Sequence, residues 1–125
     1  MSGIFVDDKD VFLITVHYAE KDGAIEILDS AQKDSKSLTV TFRIPDFATS
    51  QAILNRSVDA GANGAVNLNM MNLKANILYL LVKSWDARDF KGEPLPLGDN
   101  INKLRVEIAK VLMDRLIERF GTNII

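Results

Sequence analysis

The stretch Leu38-Thr39-Val40-Thr41-Phe42-Arg43-Ile44-Pro45 decides the fold. Leu38, Val40, Phe42 and Ile44 alternate with Thr39, Thr41 and Arg43, the period of a strand with one face on a core and the other in water. Pro45 stops it, because proline has no N–H to give to a ladder. Asp46 or Thr49 then stands where a helix takes its N-cap. The chain therefore changes from strand to helix at this point, and the two sides of the boundary read differently.

Upstream, residues 11–18 (Val-Phe-Leu-Ile-Thr-Val-His-Tyr) are dominated by β-branched and aromatic side chains and predict a strand. Residues 24–28 predict a second, with Ile25 and Ile27 on one face. Asp22-Gly23 between them is a turn signal, so the pair reads as a hairpin. Residues 30–37 form a polar loop, and residues 4–6 a short edge strand. Downstream, a helix runs to about residue 60 with a core stripe of Phe47, Ile53, Leu54 and Val58, and Gly61-Ala62-Asn63-Gly64 terminates it. A second helix spans residues 66–84. It is apolar almost all round, which predicts burial all round. Residues 85–100 hold two prolines and two glycines and form a loop. Its apolar Trp85, Phe90, Leu95 and Leu97 require that loop to pack down. Asp99 or Asn100 caps a last helix over residues 101–120, ended by Gly121. The expected class is α+β: a small N-terminal antiparallel sheet, a hairpin plus one strand, packed by three C-terminal helices. It forms a single domain over residues 1–125, β-rich to residue 44 and helical from 45, with the ordered loop 85–100.

The bulk numbers agree with one packed domain. For 125 residues and 13.9 kDa, area scaling gives a folded surface of roughly 6,700 Å² against roughly 20,000 Å² unfolded. Hydrophobic residues are 47% and charged residues 26%, which excludes long intrinsic disorder. No cysteine is present, so no disulfide or thiolate metal site exists, and the one histidine, His17, excludes multi-histidine zinc sites within the chain. A net charge of −2 argues against a general nucleic-acid binder. The charge is uneven. Residues 1–35 carry eight acids against three lysines, whereas from residue 36 onward twelve bases outnumber nine acids. Such asymmetry either orders self-association head to tail or serves solubility alone. The start, Met-Ser-Gly-Ile-Phe-Val-Asp-Asp, lacks the features of a signal peptide. The most apolar run, residues 75–82, is far below the ~20 residues that cross a bilayer. A cytoplasmic protein without membrane contact is expected.

No constellation nominates a reaction. Asp7-Asp8-Lys9-Asp10 begins like a calcium loop, but Phe12 occupies a ligand position and the sixth-position glycine and twelfth-position glutamate are missing. Asp86, Asp89 and Glu93 offer carboxylates for acid–base work, yet they lie among Arg88, Lys91 and turn residues, where surface roles are expected. His17 has no nucleophile at a telling spacing. Glycine-rich phosphate motifs do not occur. No catalytic, cofactor or metal residue is assigned, and a non-enzyme is expected. Met70-Met71 suits either adaptable core packing or a variable partner. The last helix is more suggestive. Eleven of its twenty residues are apolar and they spread over roughly 240° of arc, where a core-facing stripe takes little more than ~100°. Either a partner or second copy covers the excess, or the β-layer does so within the monomer. The stems of Arg105, Arg115 and Arg119 also mask apolar surface there.

One stretch carries a resemblance. An apolar helix leads into Leu80-Leu81-Val82-Lys83-Ser84-Trp85-Asp86, followed by Asp89-Phe90-Lys91-Gly92-Glu93-Pro94-Leu95-Pro96-Leu97, Asn100-Ile101 and a closing helix through Leu116-Ile117. This resembles the tail assembly chaperones of long-tailed bacteriophages, at Trp85, Asp86, Asp89, Gly92, Pro94, Leu95, Pro96, Leu97 and Ile101. It covers about a third of the chain, and the strand running into Pro45-Asp46-Phe47 is similar to the front of those proteins. The resemblance implies a non-enzymatic chaperone in the host cytoplasm. Such a protein binds the long apolar tape measure protein, keeps it soluble and helps recruit tail tube subunits. Two readings stand beside it: a small structural component of the virion (baseplate or tail completion), and a small ligand-binding or regulatory domain. The contact region is expected on the loop and last helix, at Trp85, Phe90, Leu95, Leu97, Ile101, Leu104, Ile108, Val111, Leu112 and Arg115. A second copy of the chain is the other partner such a surface admits.

Overall fold

The alternation that opens the reading is realised as the third strand of an antiparallel sheet. The computed structural model describes residues 3–60 and 66–124. In chain order they form β1 (Val11–Lys21), β2 (Ala24–Leu28), β3 (Lys36–Arg43), α1 (Phe47–Arg56), β4 (Val58–Ala60), β5 (Val66–Leu68), α2 (Met70–Leu81), β6 (Val82–Trp85), a 3₁₀ helix (Gly98–Lys103) and α3 (Val106–Ile124). The main sheet has the order β2-β1-β3-β6, every pair antiparallel. The class is α+β, with the sheet drawn mainly from the N-terminal part and the helices from the C-terminal part.

Local chemistry explains these elements. β1 and β2 are joined by Asp22 and Gly23, both at positive φ (54° and 79°), the geometry whose twist matches a two-residue hairpin. Asp46 caps α1, its carboxylate accepting from the Thr49 N–H at 2.8 Å, and Asn69 caps α2 through the Asn72 N–H. Ile14 and Val16 of β1 and Leu38, Val40 and Phe42 of β3 point to one side of the sheet, where Ile53, Leu73, Ile77, Leu81, Ile108, Leu112, Leu116 and Phe120 of the helices bury them. The opposite face is open to solvent: Leu13 is 57% exposed, and the Thr15 and Thr39 hydroxyls bond each other at 2.9 Å.

Helix α3 is the centre of the packing. It touches β1 and β2 as well as α1 and α2, so its wide apolar arc is largely consumed inside the monomer. Its arginines work the same seam. Arg105 donates to the Gly23 carbonyl at 3.0 Å, Arg115 donates to the Thr15 carbonyl at 2.9 Å, and Arg119 lies over the Phe12 ring, which meets Phe120 edge to face. Among the described residues, no helix is long and apolar enough to cross a membrane.

Several expectations require correction. The helix expected over residues 66–84 is three elements. Val66–Leu68 pairs with Val58–Ala60 as a small antiparallel ribbon, the helix proper is Met70–Leu81, and Val82–Trp85 extends the sheet. The switch comes at Val82, whose extended backbone (ψ 132°) lets it pair with Phe42. Helix α1 stops at Arg56 rather than near residue 60. Ser57 closes it by bonding its hydroxyl to the Ile53 carbonyl, while Asn76 and the Asn69 N–H bind Ser57 in turn. The proposed terminator at residues 61–64 lies outside the described residues. Phe47 is 78% exposed and Val58 37%, because both stand at or past the ends of the shortened helix; Ile53 and Leu54 keep the core role. Residues 4–6 are turn and irregular chain, not a strand. Helix α2 is not buried all round, since Met71 is 82% exposed and Tyr79 is exposed as well. The last helix starts at Val106, because residues 98–103 take the tighter 3₁₀ path and Leu104 is extended, and it continues through Gly121.

Candidate interaction groove

The Trp-Asp pair ends β6 and builds the wall of a groove. Trp85 pairs with Val40 in the sheet and donates its indole N–H to the Leu95 carbonyl at 2.7 Å. Asp86 prolongs the ladder: its N–H donates to the Thr39 carbonyl, and its carboxylate accepts the Thr39 N–H at 2.8 Å. From there residues 87–95 fold back as a small hairpin, with Leu95 N–H donating to the Ala87 carbonyl and Arg88 bridged to Pro94. Asp89 organises its tip. The Asp89 carboxylate accepts from the Lys91 and Glu93 N–H groups at 2.9 and 3.0 Å, Gly92 N–H closes onto the Asp89 carbonyl, and Gly92 sits at φ +82°. That is a turn in which glycine supplies the left-handed residue. Arg88 adds a bond to the Gly92 carbonyl at 2.8 Å. The turn is thus satisfied from within, and it presents Phe90 outward, 94% exposed, with the Lys91 ammonium 5.7 Å from its ring.

Between this hairpin, the ends of β1 and β3 and the start of α3 lies an open groove of about 710 Å³. Tyr18, Ile25, Leu38, Trp85, Leu95 and Leu104 line it with apolar surface, while Lys36, Arg88, Lys103 and Arg105 bring positive charge to it. Acids line it as well, and most of its charged groups are engaged: Asp86 and Asp89 accept backbone N–H groups, Glu20 pairs with Lys36 at 3.4 Å, and Arg105 pairs with Glu107 at 3.3 Å. Among the described residues, no three His, Asp or Glu side chains converge as a metal site. His17 is half-buried in β1, opposite Leu28 and Ser37. Asp7, Lys9 and Asp10 form a local turn through the Asp7 carboxylate and the Asp10 N–H. At Asp46, which caps α1, the Thr49 N–H holds the carboxyl below the ordinary carboxylate range.

Five of the ten expected contact residues line this groove: Trp85, Phe90, Leu95, Leu104 and Ile108. The other five do not. Ile101 (8% exposed) and Leu112 (0%) are core residues, and Ile108 (4%), though it reaches the groove floor, is also core. Leu97 and Val111 pack half-buried against that core, and Arg115 is spent on Thr15. A partner cannot reach Ile101 or Leu112 without unfolding the layer. Sequence reasoning missed Tyr18, Ile25, Leu38 and the basic rim. Their signal was positional: Tyr18 and Leu38 continue the core face of β1 and β3 toward the end of the sheet where α3 only begins. No protein-family model matches the chain, and neither a curated protein nor a solved structure is detectably similar to it.

Proposed function

We propose that this protein is a non-enzymatic tail assembly chaperone of a long-tailed bacteriophage. It holds an apolar helical segment of the tape measure protein in the Trp85 groove and assists tube assembly around it in the host cytoplasm. The observation that carries the reading is the groove itself, with an apolar floor, a basic rim and an aromatic tip exposed on a self-supporting hairpin. Exposed aromatic and apolar surface of this kind marks interaction sites, and an amphipathic helix is the natural guest of such a groove. The residues of the chaperone resemblance bear on the same place, because Trp85, Asp86, Asp89, Gly92, Pro94 and Leu95 build the hairpin wall.

The test is size-exclusion chromatography with light scattering, first alone and then after co-expression with the tape measure protein of the same phage. A soluble complex, formed from a tape measure protein that is insoluble by itself, is the expected result. An unchanged peak beside an insoluble partner refutes it, and stoichiometric recovery of the protein from purified virions would make it a structural component instead.

A further inference from the structure

The structure places an apolar arm at the opposite end of the sheet from the groove. Ile4 is 92% exposed, Phe5 72% and Val6 43%, three consecutive large apolar side chains on the surface. The arm is rooted firmly. Asp7 and Asp10 exchange hydrogen bonds, the Asp10 carbonyl receives the Ile44 N–H, and the Lys83 ammonium holds the Asp8 carbonyl at 2.8 Å. That root lies beside the Val11 end of β1, where Val11 faces Arg43. The groove lies at the Tyr18 end, where Tyr18 faces Lys36. Seven residues of extended strand separate the two ends, about 23 Å. Ile4 stands only three residues from Asp7 and reaches about 10 Å at most. The arm therefore cannot enter the groove of its own chain.

We propose that the arm at residues 4–6 of one copy docks in the Trp85 groove of a second copy, head to tail. The chemistries match. Three apolar side chains meet the floor of Tyr18, Leu38 and Trp85. The acids that follow them, Asp7 and Asp8, come to the part of the rim that carries Arg88 and Lys103, Arg105 being paired with Glu107 at 3.3 Å. This sorts the charge asymmetry of the chain into a function, since the arm belongs to the acid-rich first 35 residues and most of the rim to the base-rich remainder. Joined head to tail, with one arm–groove contact between successive copies, the assembly leaves one arm and one groove open at its ends and grows as rings or filaments. It rests on the groove being a docking surface, not on which foreign partner uses it. Where the tape measure protein does use it, the arm is a resident competitor displaced by the incoming helix.

The experiment is sedimentation velocity of the full chain over a wide concentration range at low and high salt. The expected result is mass rising past the dimer with concentration, with salt weakening it. Ile4→Asp with Val6→Asp disables the arm. Phe90→Ser with Lys103→Glu disables the groove. All four sites are exposed, so circular dichroism melting should be unchanged for both. Each pair should weaken self-association by about tenfold or more, the scale of losing an interface anchor. An equimolar mixture of the two variants should stop at a dimer, because only one competent arm and one competent groove remain. A monomer at every concentration overturns the proposal. So does oligomerisation indifferent to the arm variant, or a mixture that grows beyond the dimer. Tape measure binding reports separately: the arm variant should retain it and the groove variant should lose it. Its absence throughout, with self-association behaving as described, would refute only the chaperone reading.

Discussion

Replacing Trp85 with phenylalanine isolates the bond that ties the groove wall to the sheet. Phenylalanine keeps a ring in the Val40 register position but loses the indole N–H, leaving the Leu95 carbonyl without the donor 2.7 Å away. A typical internal hydrogen bond contributes about 1 kcal/mol net, and a buried orphaned acceptor costs up to about 3 kcal/mol. Trp85 is half-buried beside an open groove, so water can reach the carbonyl and the lower figure applies. The smaller ring also gives up roughly 40 Å² of apolar surface, half of it buried, for about 0.5 kcal/mol more. The total is about 1.5 kcal/mol. With a urea slope of about 1.5 kcal/mol per molar, the unfolding midpoint should fall by about 1 M at unchanged slope. Circular dichroism is the right probe because Trp85 is the only tryptophan. Hydrogen exchange supplies the local readout, since the Leu95 N–H donates to the Ala87 carbonyl and its protection should drop before that of β3. A midpoint within about 0.2 M of the parent, together with unchanged protection at Leu95, would refute the claim that the indole holds the hairpin down. Trp85→Ala should cost about 3 kcal/mol, so any loss of partner binding in that variant mixes folding with contact.

Phe90→Ser should leave the melting curve unmoved, within about 0.5 kcal/mol, because the side chain is 94% exposed; the same variant should lose co-elution with the tape measure protein, and retained co-elution would remove Phe90 from the site. Leu112→Ala should cost about 3–4 kcal/mol in urea unfolding, since Leu112 is fully buried where α3 meets both layers; a cost under about 1 kcal/mol would mean the helix is not clasped. Asp46 has a folded-state acidity displaced downward by the Thr49 N–H, so its contribution to stability is present above the unfolded carboxylate value of about 3.9 and disappears as pH falls through the lower folded value. Asp46→Ala should therefore melt below the parent at neutral pH, and the gap should close on acidification; a constant gap down to strongly acid pH would show that the carboxylate is not the cap.

The strands whose pattern is local were legible. β3 announces itself through four apolar residues at period 2, and Asp22-Gly23 needs only its own backbone preference to turn β1 into β2. β6 could not be read that way. Val82-Lys83-Ser84-Trp85 has too few residues to show alternation, and it continues an apolar helix without a glycine or proline to mark the change. Its extended backbone is fixed by Phe42, Thr41 and Val40 across the ladder, a contact about forty residues away in sequence. The same holds for β4 and β5, three residues each, whose pairing outweighs the helical pattern on either side. Ser57 shows the competition in one residue: its hydroxyl turns back to the Ile53 carbonyl and ends α1 where the apolar spacing alone would carry the helix onward.

The candidate site divides along a similar line. The width of an apolar arc tells how much of a helix leaves water, but not what covers it. Ile101, Ile108 and Leu112 stand among the expected contacts, and the arc of the last helix leaves open whether a partner or the chain's own sheet covers them; all three are buried within the chain, where α3 has a sheet on one flank and two helices on another. Loop composition was the better guide, because turn chemistry determines direction. In Asp89-Phe90-Lys91-Gly92 the aspartate caps the following N–H groups and the glycine takes the left-handed position, so the second residue stands at the apex and must face outward. A phenylalanine there gains nothing for the fold, being 94% exposed. Ile4 is in the same position at the other end of the sheet. Two apolar features that the core does not use, separated by the length of β1 and attached to chain segments of opposite charge, make a directional surface. That direction is what distinguishes assembly through arm and groove from nonspecific adhesion of exposed apolar residues, which would not stop at a dimer when an arm variant is mixed with a groove variant.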